Sequence, residues 1–270
     1  MEHIARFFFG VSGNVIALFL FLSPVVTFWR IIRKRSTEDF SGVPYNMTLL
    51  NCLLSAWYGL PFVSPNNILV TTINGTGSVI EAIYVVIFLI FAERKTRVKM
   101  MGLLGLVTSI FTMVVLVSLL ALHGQGRKLF CGLAATIFSI CMYASPLSIM
   151  RLVIKTKSVE FMPFLLSLSV FLCGTSWFIY GLLGRDPFIA IPNGCGSFLG
   201  LMQLILYAIY RNHKGATPAA AGKGAADDEV EDAKKAAAAL EMADAKTNKV
   251  ADTVADDGNK PADDKVASQV

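Results

Sequence analysis

The chain has 270 residues, of which 54% are hydrophobic and only 16% charged, and its mean hydropathy is +0.60. That balance excludes an ordinary soluble domain and points to a membrane protein. The net charge of +5 comes without a basic stripe interleaved with aromatic residues, which argues against a nucleic-acid partner.

A hydrocarbon core of about 30 Å takes roughly 20 helical residues to cross. Apolar runs of that order lie near residues 6–29, 44–63, 69–92, 100–122, 129–150, 162–184 and 188–210. None alternates apolar and polar residues as a barrel strand does, so seven membrane helices are predicted. The first holds Ser23-Pro24 and ends in Arg30, Arg33, Lys34 and Arg35. It lacks a small-residue cleavage site before that basic stop and reads as a helix rather than a secretory signal. The second opens on Pro44 and carries Asn51, Ser55 and Tyr58-Gly59, and the third carries Asn74-Gly75-x-Gly77 and Glu81. The fourth is rich in Val, Leu and Met. Ser145-Pro146 lies in the fifth, Trp177 and Tyr180-Gly181 in the sixth, and Asn193-Gly194-x-Gly196 in the seventh. After Arg211 the composition shifts to Ala, Asp and Lys, too poor in large apolar groups to offset ordering entropy. The expected division is residues 1–98, 99–126, 127–212 and a disordered tail at 213–270.

Cations cluster after the first helix, after the third (Arg94, Lys95, Arg97, Lys99) and after the fifth (Arg151, Lys155, Lys157). The opposite side has Arg6, Arg127, Lys128 and Arg185. The positive-inside rule therefore predicts an N-terminus outside and a cytoplasmic C-terminus.

The chain is written twice. Gly10 returns as Gly132, Ser23-Pro24 as Ser145-Pro146, Ser36-x-Glu38 as Ser158-x-Glu160 and Tyr58-Gly59 as Tyr180-Gly181, all 122 positions on. Pro44 returns as Pro163 and Asn74-Gly75-x-Gly77 as Asn193-Gly194-x-Gly196, at 119. Three crossings leave the chain on the opposite side, so the fourth helix must bring it back before a second copy can run the same way. The predicted fold is all-α: two parallel three-helix repeats joined by a linker helix, with a site on the axis between them.

The three histidines, His3, His123 and His213, stand at membrane edges or ends, which leaves no metal cluster or hydrolytic triad at mid-membrane. Cys52, Cys131, Cys141, Cys173 and Cys195 lack zinc-ligand spacing and read as reduced packing residues. No enzyme, metal or cofactor is expected. The sequons at Asn46 and Asn74 fall at a cytoplasmic edge and inside a helix, so neither reads as a glycan site. Glu81 has two open readings, a proton carrier or a packing carboxyl; its image, Gly200, supplies no second group for a relay.

Neutral polar groups at image positions remain. Asn74 and Asn193 offer amide donors and acceptors suited to an uncharged polyhydroxyl solute, or serve as interhelical glue. Trp177 faces Ser55 in the overlay, an indole opposite a small hydroxyl, which leaves room for a flat ring. Pro24, Pro44, Pro146 and Pro163 lie toward one end and read as a hinge ring or as ordinary kinks.

These motifs, with Gly13-Asn14, Tyr58-Gly59-Leu60-Pro61, Ser145-Pro146-Leu147, Lys155-x-Lys157-Ser158-Val159-Glu160-Phe161-Met162-Pro163 and Ile191-Pro192-Asn193-Gly194, closely resemble the plant SWEET sugar transporters over about residues 5–212. The resemblance implies three-helix bundles in 1-3-2 order, sugar uniport by alternating access, and homotrimers in the plasma membrane. It implies a pocket lined by Ser55, Asn74, Trp177 and Asn193, with Asn51 and Cys173 at its rim, and a proline tetrad at Pro24, Pro44, Pro146 and Pro163. It ties Tyr58, Gly59, Gly132, Tyr180, Gly181 and Asp186 to transport or extracellular gating. Met142 stands where hexose carriers of the family tend to have Met and sucrose carriers a smaller residue, so a monosaccharide, glucose first, is the expected substrate. The rival expectations are a heptahelical receptor or a sugar sensor signalling through the tail.

Overall fold

Proline has no N–H to donate, and the first crossing of each repeat breaks beside one. In the computed structural model, which describes residues 2–38, 40–159 and 162–212, α1 (Glu2–Leu22) stops at Ser23-Pro24 and resumes as α2 (Val25–Lys34). The second copy breaks one turn earlier in the overlay, between α6 (Gly124–Cys141) and α7 (Ala144–Thr156). Pro146 then falls in the first turn of α7, where its missing N–H has no intrahelical partner to lose. The two lower segments end alike: Arg35 and Lys157, images of each other, both adopt left-handed φ values of 51° and 50° as C-caps.

The other crossings are α3 (Val43–Tyr58), α4 (Ile68–Phe91), α5 (Arg94–Leu120), α8 (Phe164–Leu183) and α9 (Pro187–Tyr210). Among the described residues, six spans are long and apolar enough to cross a bilayer. α3 has 16 residues, about 24 Å at 1.5 Å per residue, and is the seventh crossing. It ends short of residue 63 because Pro61 has no N–H to continue the ladder. Glu160, Phe161 and the predicted tail lie outside the described residues.

α4 packs between α1–α2 and α3, and α9 between α6–α7 and α8, so each repeat has its third crossing in the middle. The repeats meet along two seams, α1 with α8 and α3 with α6, while α5 lies outside, mainly on α3 and α6. The result is two parallel three-helix bundles in 1-3-2 order joined by a linker helix. The end where α1 and α6 begin is called upper below. Large apolar side chains such as Phe7, Phe19, Val26 and Trp29 face outward, as a lipid-facing surface requires. One core cluster runs across both repeats. A second, near the lower end, ties α2 to α4 and α5 through Phe28, stacked on Tyr84 at 4.3 Å. Where α2 turns toward α3, Glu38 pairs with Arg30 at 2.6 Å and Lys34 at 2.5 Å. Hydrogen bonds from Arg30 and then Lys34 hold its carboxyl below the usual carboxylate range.

Candidate functional site

Helices α1, α3, α4, α6, α8 and α9 enclose a cavity of about 260 Å³ between the repeats. Twelve of its seventeen lining residues come in image pairs: Ala17 with Ser139, Asn51 with Cys173 and Ser55 with Trp177, then Val70 with Ile189, Ile73 with Pro192 and Asn74 with Asn193. No Asp, Glu, Lys, Arg or His lines it. Of the binding residues expected from sequence, Asn51, Ser55, Asn74, Cys173, Trp177 and Asn193 all stand on this wall. Met142 does not. It sits half-buried in the break between α6 and α7, and the early break takes it off the wall that its image Leu20 lines.

The two asparagines are held alike. Asn74 Nδ2 donates to the Val70 carbonyl at 2.9 Å, and Asn193 Nδ2 to the Ile189 carbonyl at 2.8 Å. A carboxamide has two N–H groups and an oxygen, so each side chain is oriented by its own helix and keeps one N–H and Oδ1 for the cavity. Trp177 is set by α1: a Cβ on Gly13 would lie 2.7 Å from its Nε1, and Tyr180 meets the indole edge-on at 5.1 Å. Across the seam, Ser139 Oγ donates to Asn51 Oδ1 at 2.7 Å. Pro192 leaves the Phe188 carbonyl without its helical donor, and Thr136 Oγ1 donates to it instead at 3.3 Å. Tyr143 donates to the carbonyl of Pro192 itself.

Above the cavity the two repeats are stitched together. Asp186, 2% exposed, caps α9 by accepting from Phe188 N at 3.1 Å. Its carboxylate also accepts from Tyr58 Oη at 2.7 Å on both oxygens and from Asn67 Nδ2 at 2.8 Å. Lys128 Nζ stands 3.5 Å away. Asn67, the image of Asp186, is the N-cap residue of α4. Its second Nδ2 hydrogen goes to Ser64 Oγ at 2.6 Å, and Oδ1 accepts from Arg6 Nη2 at 2.7 Å and Tyr180 Oη at 3.4 Å. Tyr180 also donates to the Asn66 carbonyl at 3.1 Å. A buried carboxylate is tolerated only when hydrogen-bonded and paired, and this one is both. Gly59 and Gly181 lie where α3 and α8 finish against the starts of α4 and α9: a Cβ on Gly181 would lie 2.6 Å from the Ala190 nitrogen. Gly132 seats the Phe188 ring, 2.5 Å from a Cβ at that position.

The four prolines lie at the lower end. Pro44 is in the first turn of α3 and Pro163 is the N-cap of α8, both exposed, while Pro24 and Pro146 are half-buried at the breaks. Ser23 Oγ and Tyr84 Oη donate to the Leu20 and Phe21 carbonyls beside Pro24, at 2.8 and 2.9 Å. Glu81 is 4% exposed on α4, with Oε2 buried and unpartnered.

Sequence reasoning missed Arg6, Ser64, Asn67, Lys128 and Ser139 as site residues. The signal was present for most of them. Arg6 and Lys128 are 122 apart and Asn67 and Asp186 are 119 apart, the spacings already found for the motifs, but the residue types differ within each pair.

The family model described as a sugar efflux transporter for intercellular exchange matches residues 7–96 and 129–215, one match per repeat. A bidirectional sugar transporter, SWEET1a, of Oryza sativa subsp. japonica is 98% identical over 237 residues, covering 87% of each chain. SWEET1a of Sorghum bicolor is 83% identical over the full length of both chains, and SWEET1 of Arabidopsis thaliana is 69% identical over 82% of this chain and 90% of that one. A eukaryotic SWEET transporter structure at 3.7 Å resolution superposes with a TM-score of 0.76 at 50% identity, covering 78% of this chain and 98% of that one. With both repeats matched by the family model and the seven-helix architecture shared with a solved member, the chain belongs to the SWEET family of sugar transporters, integral membrane proteins rather than enzymes.

Proposed function

We propose that the chain is a uniporter that passes a monosaccharide, glucose first, in either direction by alternating access. The observation that carries this reading is the pair Asn74 and Asn193, each oriented by its own helix and presenting spare hydrogen-bonding capacity to a cavity without ionic groups. A neutral wall suits a neutral solute, and the amides suit its hydroxyls. The Trp177 face, braced by Gly13, suits the C–H face of a sugar ring. A volume of about 260 Å³ lies below the range of about 300–1,000 Å³ for drug-sized sites, which favours one ring over two. Asn51, Ser55 and Cys173 complete the wall, and Met142 acts from behind it. The relatives' printed function, bidirectional sugar transport, supports the direction-neutral cycle.

In that cycle Tyr58, Tyr180 and Asp186 form the upper gate, shut in this structure, with Gly59 and Gly181 keeping the helix ends close enough to shut it. Pro24, Pro44, Pro146 and Pro163 let the lower segments rock. The cation distribution supports an upper end that faces outside and a cytoplasmic C-terminus. The family resemblance is the support for a homotrimer in the plasma membrane, and the duplication, the unmatched fourth helix and the composition shift after Arg211 are the support for the division at residues 98, 126 and 212. Uncoupled transport is supported by Glu81 having Gly200 as its image, with no second acid opposite to pass a proton on.

The test is uptake of radiolabelled glucose, fructose, galactose and sucrose by hexose-transport-deficient yeast. Wild type should carry glucose best, and Asn74→Ala or Asn193→Ala should lose uptake at unchanged surface amount. Full glucose uptake by both variants removes the pocket assignment, and collapse under a protonophore at a fixed sugar gradient removes uniport.

A further inference from the structure

Arg6 occupies a built seat at the upper closure. Its guanidinium lies 4.4 Å from the centre of the Tyr180 ring. The bare backbone of Gly184 also meets it, where a Cβ would fall 2.5 Å from Nη2 and 2.7 Å from Cζ. From that slot Nη2 donates to Asn67 Oδ1 at 2.7 Å, and Nε is buried without a partner. Arg6 belongs to α1 and Asn67 to the turn before α4, both of the first repeat. Tyr180 belongs to α8 of the second, and Gly184 is the C-cap of that helix. The side chain therefore sews the α1–α8 seam, whereas Tyr58 and Asp186 join the repeats through α3 and α9. Lys128, the image of Arg6, stands 3.5 Å from Asp186, but the image of Gly184 is Phe62. Phe62 instead carries the Arg127 guanidinium over its ring at 5.9 Å, so the seat against a tyrosine and a bare glycine is taken by Arg6 and not by its image, and it suits a planar cation.

We propose that Arg6 is a positioning residue of the upper gate: seated against Tyr180 and Gly184, it holds the Asn67 amide in the rotamer that bonds Asp186, and it must leave that seat before sugar enters from above. The proposal rests on the alternating-access reading. It deepens that reading by naming what sets the energy of the closed end. An amide whose oxygen is fixed by a cation presents its N–H groups in one direction, so Asn67 is pre-aimed at the carboxylate before the repeats close.

The experiment uses the full chain in yeast with Cys173, which lines the cavity, as the single remaining cysteine. A membrane-impermeant thiol reagent is applied to intact cells and, separately, to inside-out vesicles. Loss of one charge-assisted hydrogen bond and its stacking shifts a two-state equilibrium by about tenfold. Arg6→Ala should thus speed Cys173 modification from the upper side by about tenfold and lower the KM for sugar added on that side. Arg6→Lys, which keeps the charge but not the plane, should fall between. Gly184→Ala should act like Arg6→Ala with Arg6 still present, and the double variant should add nothing further. If Arg6→Ala is poorly inserted, Gly184→Ala and Arg6→Lys carry the comparison. Modification rates within twofold of the parent in all three, or fully additive effects in the double variant, overturn the proposal. Labelling reads the gate and uptake reads transport, so the two readings fail separately: a parent that labels as described but carries no sugar removes the transport reading, not the latch.

Discussion

Tyr58→Phe removes one oxygen from the middle of the proposed upper gate and little else. The hydroxyl is 2.7 Å from both oxygens of Asp186, and both residues are 2% exposed, so solvent does not replace the lost donor. Asp186 keeps Asn67, the Phe188 N–H and Lys128, and the phenyl ring keeps its edge contact with Phe188 at 5.9 Å. The variant should therefore fold. A hydrogen bond to a buried charge is worth about 1.5–3 kcal/mol, and each 1.4 kcal/mol is about tenfold, so the shut end weakens roughly ten- to a hundredfold relative to the open one. A carrier that shuts and opens this end once per cycle then waits on re-closure. Uptake of radiolabelled glucose into transport-deficient yeast should lose about tenfold in maximal rate, with a lower external KM, at equal surface amount. A maximal rate and KM both within twofold of wild type refute the reasoning, because they leave the Tyr58 bond with no role in the cycle.

Gly13→Val puts a branched side chain where a Cβ alone lies 2.7 Å from the Trp177 indole; overpacking of this kind costs about 1–3 kcal/mol, and the expected result is loss of glucose uptake with the protein still at the surface. Thr136→Val leaves the Phe188 carbonyl beside Pro192 without its donor, which should lower stability by about 1–3 kcal/mol, read as a lower melting temperature of detergent-purified protein. For Glu38, whose carboxyl is held below its ordinary value of 4.5 by Arg30 and Lys34, the sign is set by linkage. Its contribution is present above that value and is lost as the pH falls through the lower value of the folded state. The melting temperatures of wild type and Glu38→Gln should keep one difference from pH 6 to 8 and converge only below about pH 4.

The crossings and their duplication were legible because hydrophobic length and punctuation are one-dimensional signals. Asn74 and Asn193 were legible for the same reason, since both residue type and neighbours repeat. The hydrogen-bonded cluster at the upper end was half legible. Asp186 and the two tyrosines come with the family resemblance, but Asn67 opposite Asp186 and Arg6 opposite Lys128 are images that differ in chemistry, and an overlay searched for identity passes over them. Met142 lies off the cavity wall for a geometric reason. Its helix breaks at residue 142, one turn before the image of the break at Pro24, and no residue count distinguishes a proline that breaks a helix from one that starts the next. Ser139 was hidden because serine in a membrane helix is common, and its bond to Asn51 exists only once the repeats meet.

The pairing of Asn67 with Asp186 at 2.8 Å has a consequence for how such a gate is built. In an assembly of two identical subunits about a two-fold axis, a residue at the axis faces itself. Two aspartates there repel, and two asparagines offer no charge for Lys128 to pair with. A fused chain is free of that constraint. It sets one acid against one amide, so Asn67 donates to the carboxylate while its own oxygen accepts from Arg6, and Lys128 stands beside the acid. Covalent duplication thus lets the halves keep a common fold while the contact on their axis becomes hetero-complementary, a bond that no homodimer of either half can make.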